Sequence, residues 1–134
     1  YCRRTILRLK IKTMMNKLID LIDNHNKPFK HLRIQYDADL IAEVKQELQE
    51  QFGKDVDVNQ ITINKNNRLG KHKHLNQTEV SYGFITGTFK GGSLVTPTDT
   101  ITTRNKWFIF DGTQEHYVEE FTGDRYSIIA YKRK

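Results

Sequence analysis

The hydrophobic period of this 134-residue chain changes at Gly53, and this change limits the fold more than any other feature. Upstream of it, apolar side chains at helical spacing form one stripe, which consists of Leu40, Ile41, Val44, Leu48 and Phe52. Asp37 or Asp39 can cap this helix, and Gly53 can end it. Downstream, "VDVNQITINKN" begins a strand-like alternation with an irregularity near Asn59. The chain is therefore predicted to be helical first and β-stranded afterwards.

Two helices and seven or eight short strands are expected. The first helix is predicted from about 13 to 23, and the stretch before it is either helix or edge strand. Turn residues separate the predicted strands, with Gly91–Gly92 as a hairpin turn, "TGD" as the last turn and "WFIF" as a buried strand. Helices followed by strands favour an α+β fold in which the helices cover an antiparallel sandwich or barrel. The length suits a single domain, 1–134.

Charge and cysteine content limit the expected binding partners and the expected cellular compartment. A net charge of +6 and a pI near 9.4 favour a polyanionic partner such as nucleic acid, although a solvated basic surface without a ligand has the same composition. Cys2 is the only cysteine, which excludes an internal disulfide and favours a reducing, intracellular setting, either cytoplasmic or nuclear. Apolar runs reach four residues, so no membrane-spanning helix is expected. The start without Met suits a fragment of a longer protein.

Three histidines form a candidate metal site. His72 and His74 are two residues apart, so in an extended chain they point to one side and can converge on one ion. His116 follows the predicted "WFIF" strand and its turn, and stacked hairpins can bring such distant residues side by side. Plainer interpretations remain open, because His72 and His74 also suit an exposed loop beside Lys71 and Lys73, and His116 suits a turn.

Arg125 and Ser127 form a second constellation, on the last predicted strand. Both are expected on the same face of that strand, because side chains alternate along it. A guanidinium fork beside a hydroxyl suits a carboxylate ligand, which it binds through charge-assisted hydrogen bonds. The alternative is a surface ion pair of Arg125 with Asp124 or Glu119.

In this order the residues resemble the signature of the iron(II)/2-oxoglutarate-dependent dioxygenases, which is a His-x-Asp pair, a distal His and then Arg-x-Ser, here nine residues after His116. The stretch "ITINKNNRLGKHKHLNQTEVSYGFITGTFKGGSLV" is similar to the pattern of compact members, and "FDGTQEHYVEEFTGDRYSIIAY" resembles their C-terminal half. The likeness runs from about Gln60 to Tyr131. It implies a double-stranded β-helix, a jelly-roll or cupin-like antiparallel β-sandwich over 54–134, which the mainly helical segment 1–53 buttresses.

The sequence departs from this pattern at the carboxylate. In the register set by Asn76, Ser81 and Gly91–Gly92, His72 matches the first His of the family and His74 takes the place of Asp. In the other register His74 is the first His and Asn76 takes the place of Asp. Neither register supplies a carboxylate, so the ligand set loses one negative charge, although three His can still form a facial set.

The resemblance implies an oxygenase that holds Fe(II) with His72, His74 and His116 and uses 2-oxoglutarate and O2 as co-substrates. It assigns the far carboxylate of 2-oxoglutarate to Arg125 and Ser127, and a nucleic acid base or a protein side chain is the expected substrate. The alternative is a catalytically degenerate β-helix domain that binds nucleic acid or protein, which the missing Asp favours and the retained Arg-x-Ser opposes. An unrelated basic β-barrel that stacks RNA bases on aromatic residues has weaker support, from "YGFITGTFK".

Other polar residues of the sequence have weaker signals. Asn64 faces the same side as Thr62 on the first family-like strand, so it is expected either to donate to the co-substrate or to serve packing or a turn. His25 and His31 flank Pro28 in a predicted loop, and no function is assigned to either.

Overall fold

The computed structural model describes residues 3–24, 31–67 and 70–134, with side chains described from Lys12 onward within these ranges. His25 and Pro28 lie outside the described residues. In chain order the elements are α1 (Arg3–Asp23), β1 (His31–Ile34), α2 (Ala38–Phe52), β2 (Gln60–Lys65), β3 (Gln77–Gly91), β4 (Leu94–Val95), β5 (Thr100–Ile101), β6 (Trp107–Asp111), β7 (Tyr117–Val118) and β8 (Phe121–Arg133).

Both helices form where the sequence predicts them. The Asp37 side chain caps α2 by accepting a hydrogen bond from the Leu40 N–H at 3.0 Å, which satisfies one of the free donors of the first turn. Gly53 follows the last turn with a φ of 116°, a conformation that favours glycine. The α1 helix begins at Arg3, so the stretch before residue 13 is helix and not edge strand.

In the described ranges eight strands form two antiparallel sheets. The larger has the order β1-β2-β8-β3-β6, and the smaller has the order β5-β4-β7. The long strand β8 lies at the centre of the larger sheet, where it pairs with β2 on one side and with β3 on the other. Asn59 extends this pairing beyond the start of β2, because its side chain bonds the backbone of Arg133.

The two faces of the larger sheet have different partners. Its helix-facing side chains pack with both helices into the main core, in which the fully buried apolar residues are Leu18, Ile22, Val44, Leu48, Ile61, Ile63, Ile128 and Ala130. The opposite face meets the smaller sheet, where a second apolar cluster contains Leu94, Phe110 and Val118. The predicted α+β fold, with helices against an antiparallel β-sandwich, is confirmed. A cavity lies between the two sheets.

The predicted hairpin turn at Gly91–Gly92 is wrong. β3 pairs with β6 and β8, whereas β4 pairs with β5 and β7, so the two strands that flank the glycines are in different sheets. Both glycines have positive φ values, 78° and 74°, and the chain uses them to cross from one sheet to the other.

Three other local predictions also fail. Residues 122–124, the predicted "TGD" turn, lie inside β8 because their backbone continues the ladder with β3. The "WFIF" strand is only partly buried, since β6 is an edge strand of the sheet and Ile109 is 49% exposed. His31 lies in β1, where it pairs with Asn64, and not in a loop.

The helices also bear on the question of a membrane crossing. Within the ranges that the structure describes, neither helix is both long enough and apolar enough to span a bilayer.

Gly87 offers a direct test of the central β3–β8 pairing. Its φ is 122°, and a Cβ there would overlap the carbonyl oxygen of Asp124 on β8. We expect Gly87→Ala to lower the free energy of unfolding by about 1–3 kcal/mol, because the strand must shift or the residue stays strained. Urea unfolding followed by circular dichroism measures this change.

Gly70→Ala is the matched control for this prediction. A Cβ at Gly70 meets nothing within 4 Å, so this variant should unfold at nearly the wild-type urea concentration. Equal stability of the two variants would contradict the predicted role of Gly87.

Candidate functional site

A short antiparallel bridge outside the named strands brings the first and third histidines together. The backbones of His72 and His116 exchange two hydrogen bonds, with N···O distances of 3.0 and 2.9 Å. The next alternate residue, His74, continues the pairing because its N–H donates to the Gly112 carbonyl at 3.0 Å. Two residues on one extended strand and one on its neighbour therefore share a face.

The three imidazoles form a compact cluster. One nitrogen from each ring of His72, His74 and His116 lies within 4.8 Å of the others. The ring centroids of His72 and His116 are 4.2 Å apart, and those of His72 and His74 are 4.9 Å apart. The three rings are therefore close enough together to be candidate ligands of one ion, whose bonds to ring nitrogens are about 2.0–2.1 Å long.

Backbone carbonyls orient two of these rings. The Nδ1 of His72 lies 2.6 Å from the Gly70 oxygen, and the Nδ1 of His116 lies 2.8 Å from the Gln114 oxygen. A carbonyl can only accept, so each Nδ1 carries the proton and each Nε2 keeps its lone pair. The same arrangement holds ligand histidines in metalloproteins, where the second nitrogen is bound to a carbonyl or carboxylate.

Burial favours the neutral form, which a metal requires, in two of the three imidazoles. His116 is 5% exposed, and desolvation lowers its pKa below 6.5 although the Gln114 carbonyl and Asp111 oppose this. Desolvation and the neighbouring His72 and His116 also lower the pKa of His74, the most exposed of the three. Neutral imidazole is the ligating form, so both shifts favour ligation near neutral pH.

Arg125 is buried in the wall of the same cavity. It is 3% exposed, and its Nε donates to the Gly92 carbonyl at 2.9 Å. Among the residues that the structure describes, its two terminal nitrogens have no hydrogen-bond partner and no carboxylate lies within ion-pair distance, so the alternative of a surface ion pair is wrong. Burial, and then the charge of Arg104, lower the pKa of Arg125 to about 10, and the group stays cationic at neutral pH.

Aromatic rings and a glycine shape the space around this guanidinium. Its Cζ lies 5.7 Å from the ring centroid of Phe89 and 5.8 Å from that of Phe121. A Cβ on Gly92 would come within 2.9 Å of the Arg125 Cδ, so a larger residue there would displace the side chain. The fork is thus held in one position with its terminal donors free for a ligand.

Ser127 and Asn64 lie beside each other in the ladder between β8 and β2. Both line the cavity, with exposures of 7% and 5%. The Asn64 Oδ1 accepts from the Asn67 amide at 3.2 Å and lies 2.7 Å from the His31 Nδ1. Both contacts use the carbonyl end of Asn64, so its amide nitrogen is left for the cavity. The contacts with His31 and Asn67 also give Asn64 a packing role.

The cavity between the sheets has a volume of about 410 Å³. It contains all six predicted site residues, which are His72, His74, His116, Arg125, Ser127 and Asn64. Apolar side chains from both sheets form the rest of its inner wall, namely Ile85, Leu94, Phe110, Val118 and Ile129. One cavity therefore brings the histidine cluster and a buried guanidinium together.

The donor set fits a divalent transition metal. Three imidazole nitrogens at this spacing suit iron, zinc, copper or nickel and leave coordination positions for other ligands. His74 takes part in the cluster, so the geometry favours the register in which it replaces Asp. Asn76, which the other register puts in that place, lines the cavity but is not part of the cluster.

Sequence reasoning missed several residues of the cavity wall. His31 contacts Asn64, and Thr62 and Tyr131 share a hydrogen-bond contact of 3.3 Å between their hydroxyls. The basic side chains Arg33 and Arg133 also line the cavity. The alternation in "HLRI" is the signal that could have placed His31 and Arg33 on one strand face, but four residues are too few to distinguish a strand from a loop.

Comparison with known proteins supports the fold assignment. No family model matches the sequence, and no curated protein matches it. The structure is similar to that of an oxidoreductase of the 2OG-Fe(II) oxygenase family from Burkholderia pseudomallei, with 17% identity and a TM-score of 0.52 over 67% of this chain and 51% of that chain. It is also similar to NgTET1 in complex with 5mC DNA, with 15% identity and a TM-score of 0.61 over 92% of this chain and 67% of that chain.

These similarities show a shared fold. The chain spans about half the length of the Burkholderia protein and about two thirds of NgTET1. The histidine cluster and the buried arginine lie inside this fold.

The buried imidazole of His116 makes the metal-free protein sensitive to acid. Its pKa is below 6.5 in the folded chain, so the unfolded chain binds the proton more readily. Its stabilising effect is complete above pH 6.5 and is lost as the pH falls from 6.5 through the folded pKa. We expect His116→Gln to reduce the loss of stability between pH 7.5 and 5.5 by at most about 1.4 kcal/mol per pH unit.

Urea unfolding of both proteins at several pH values, in the presence of a chelator, measures this difference. Parallel pH profiles of stability for the wild type and His116→Gln would contradict the lowered pKa of His116.

Proposed function

We propose that this chain is an iron(II)/2-oxoglutarate-dependent oxygenase that hydroxylates a nucleic acid base. The observation that carries the proposal is the placement of three convergent imidazoles and one buried, unpaired guanidinium in a single cavity. The fold similarity to 2OG-Fe(II) oxygenases supports it. We also propose that residues 1–134 form one domain and that the single cysteine reflects an intracellular setting, cytoplasmic or nuclear.

Each side chain has a proposed role. His72, His74 and His116 would hold the metal through ring nitrogens that face one another. When bound, iron(II) and 2-oxoglutarate supply the activation of O2 and the oxidative decarboxylation to succinate that together drive hydroxylation. Arg125 and Ser127 would bind the far carboxylate of 2-oxoglutarate through the terminal guanidinium nitrogens and the hydroxyl.

The remaining wall orients the co-substrate and excludes water. The free amide nitrogen of Asn64 can donate to a carboxylate oxygen, because the carbonyl end is already bonded to His31 and Asn67. Apolar residues of both sheets, among them Ile85 and Leu94, line the space between metal and arginine with groups that do not bind water. Such a lining strengthens the electrostatic contacts within it.

Basic residues of the cavity wall support nucleic acid as the substrate class. Arg33, Lys73 and Arg133 are exposed and line the same cavity, and the chain has a net charge of +6. Cations in this arrangement attract phosphates and position a polyanion without reading its sequence. NgTET1, whose fold is similar, was solved with 5mC DNA. A protein side chain remains the competing substrate.

The missing carboxylate supports a second candidate function. All three members of the cluster are imidazoles, so the chain could have the fold and the basic surface while lacking oxygenase chemistry. It would then be a catalytically degenerate domain that binds nucleic acid or protein. The buried arginine favours the enzyme, because burial of an unpaired cation costs stability and has no structural use in a binding module.

Anaerobic titration with iron(II) and 2-oxoglutarate tests the enzyme proposal. We expect a visible charge-transfer absorption band and the release of succinate when air is admitted. His74→Asp restores the carboxylate and should strengthen both signals. Arg125→Met should weaken 2-oxoglutarate binding at least about tenfold without weakening metal binding, because the variant cannot form the charge-assisted bidentate hydrogen bonds.

His31→Gln is the matched control for metal binding, since His31 lines the cavity but is not in the cluster. Absence of the band and of succinate from both the wild type and His74→Asp would reject the oxygenase. DNA binding that persists in that case would favour the degenerate domain.

Substitution of the basic wall tests the substrate class. We expect the double variant Arg33→Gln, Arg133→Gln to bind a short 5-methylcytosine oligonucleotide more weakly than the wild type. The slope of log K against log salt should fall by about one for each phosphate that the variant no longer binds. Fluorescence anisotropy at several salt concentrations measures both quantities.

The control variant Lys54→Gln, Lys90→Gln removes the same charge from exposed positions that do not line the cavity. An equal loss of affinity in both double variants would show that net charge alone, and not the cavity wall, attracts the DNA.

A further inference from the structure

The charged residues of the cavity wall are all of one sign. Four histidines and four cationic side chains line it, and no Asp or Glu is among the described lining residues. The residues outside the described ranges contain no Asp or Glu either. Asp111 is close to His116 in sequence, but its Oδ1 accepts from the Thr113 backbone at 2.9 Å and holds the turn. The charge of Asp111 reaches His116 from outside the lining, but the described wall itself offers a bound cation no carboxylate ligand.

This deficit changes the energetics of metal binding. Two imidazoles and one carboxylate reduce the charge of a divalent ion by one unit, whereas three neutral imidazoles leave it unchanged. A second positive group, the Arg125 guanidinium, is already buried in the same wall. Like charges repel more strongly beside a protein wall than in bulk water, so a metal at the cluster and the Arg125 guanidinium would disfavour each other until an anion is present.

We infer that the metal and a dicarboxylate bind to this cavity as a coupled pair, in which the dianion supplies the negative charge that the protein lacks. The inference rests on the proposed function for the identity of the two ligands. His74 sets the strength of the coupling, because it occupies the position where a carboxylate would neutralise the metal. Arg125 has two effects, since it attracts the dianion and repels the metal that binds alone.

Coupling of this kind has a strict thermodynamic form. If the dianion tightens metal binding by a given factor, the metal must tighten dianion binding by the same factor. We expect a factor of about 10–100 for the wild type, within the usual range of coupling between two sites. A chelating ligand alone would also produce coupling, so charge must be separated from chelation by variants that change only the charge.

The experiment measures Zn²⁺ binding by isothermal titration calorimetry, with and without saturating 2-oxoglutarate, and corrects for the complex that the two form in solution. Zn²⁺ has no redox chemistry, so the result does not depend on turnover. The reverse titration, 2-oxoglutarate into protein with and without Zn²⁺, closes the cycle. The same measurements with 2-oxobutyrate, which chelates but has no second carboxylate, should give a smaller factor.

Two charge-changing variants and one charge-retaining control decide the origin of the coupling. His74→Asp should bind Zn²⁺ more tightly than the wild type when no diacid is present, and its coupling factor should be smaller. Arg125→Met should also bind Zn²⁺ alone more tightly, because it removes a buried positive charge, whereas Arg125→Lys should not. Thermal unfolding confirms that each variant is folded, and the wild-type cycle needs no variant.

The outcomes separate this inference from the proposed function. A wild-type factor below twofold, or an unchanged factor in His74→Asp, would overturn the coupling even if iron and 2-oxoglutarate produce succinate. Coupling without succinate would support the inference and reject the oxygenase. Failure of the wild type and His74→Asp to bind Zn²⁺, with or without the diacid, would overturn both.

Discussion

The structure depends on the alternation of side chains along β8, the strand between β2 and β3 at the centre of the larger sheet. Ile128 and Ala130 point towards the helices and are fully buried in the core. Arg125 and Ser127 point the other way, into the cavity. A slip of one residue in register would exchange these faces, so the hydrophobic core that fixes the register also fixes the orientation of the candidate ligand-binding groups.

The histidine cluster depends on a second, smaller constraint. His72 and His74 lie outside the long strands, and two backbone hydrogen bonds between His72 and His116 and one from His74 hold this segment beside its partner, together with contacts of Lys71 to Glu115 and Tyr117. Carbonyls of the same loops then orient the rings of His72 and His116. Local backbone pairing therefore brings the imidazoles together, and carbonyl contacts select the nitrogen that His72 and His116 present.

The sequence was sufficient for the class of fold and for six residues of the cavity wall, for reasons that can be named. The change of period at Gly53 shows which segments bury one stripe of a helix and which bury one face of a strand. The pattern is visible in the sequence because each segment must bury its apolar side chains when the chain folds. The alternation around Arg125 correctly places Arg125 and Ser127 on one face. The spacing of His72 and His74 correctly places them together once the chain is extended.

The sequence pattern could not predict which strands pair over long distances in the chain. Gly91–Gly92 has the composition of a hairpin turn, but the strands on either side find partners elsewhere, a choice made by contacts between residues far apart in the chain. The "TGD" segment has the composition of a turn, yet the ladder with β3 holds it extended. His31 was missed because β1 has only four residues, and its strand character comes from pairing with β2.

The fold does not require a guanidinium at the buried position of Arg125, whereas an anionic ligand would require one. Within the described part of the chain the Arg125 guanidinium has one hydrogen bond, to the Gly92 carbonyl, and aromatic rings at 5.7 and 5.8 Å, which offset part of the cost of its burial. An apolar residue of similar size would fill the same space at lower cost. A position that costs stability, while its terminal donors face an enclosed cavity, is most simply explained by an anionic ligand that binds there. The cluster consists of imidazoles, and no carboxylate is among the described lining residues, so the anion and the metal would each remove the main obstacle to binding of the other.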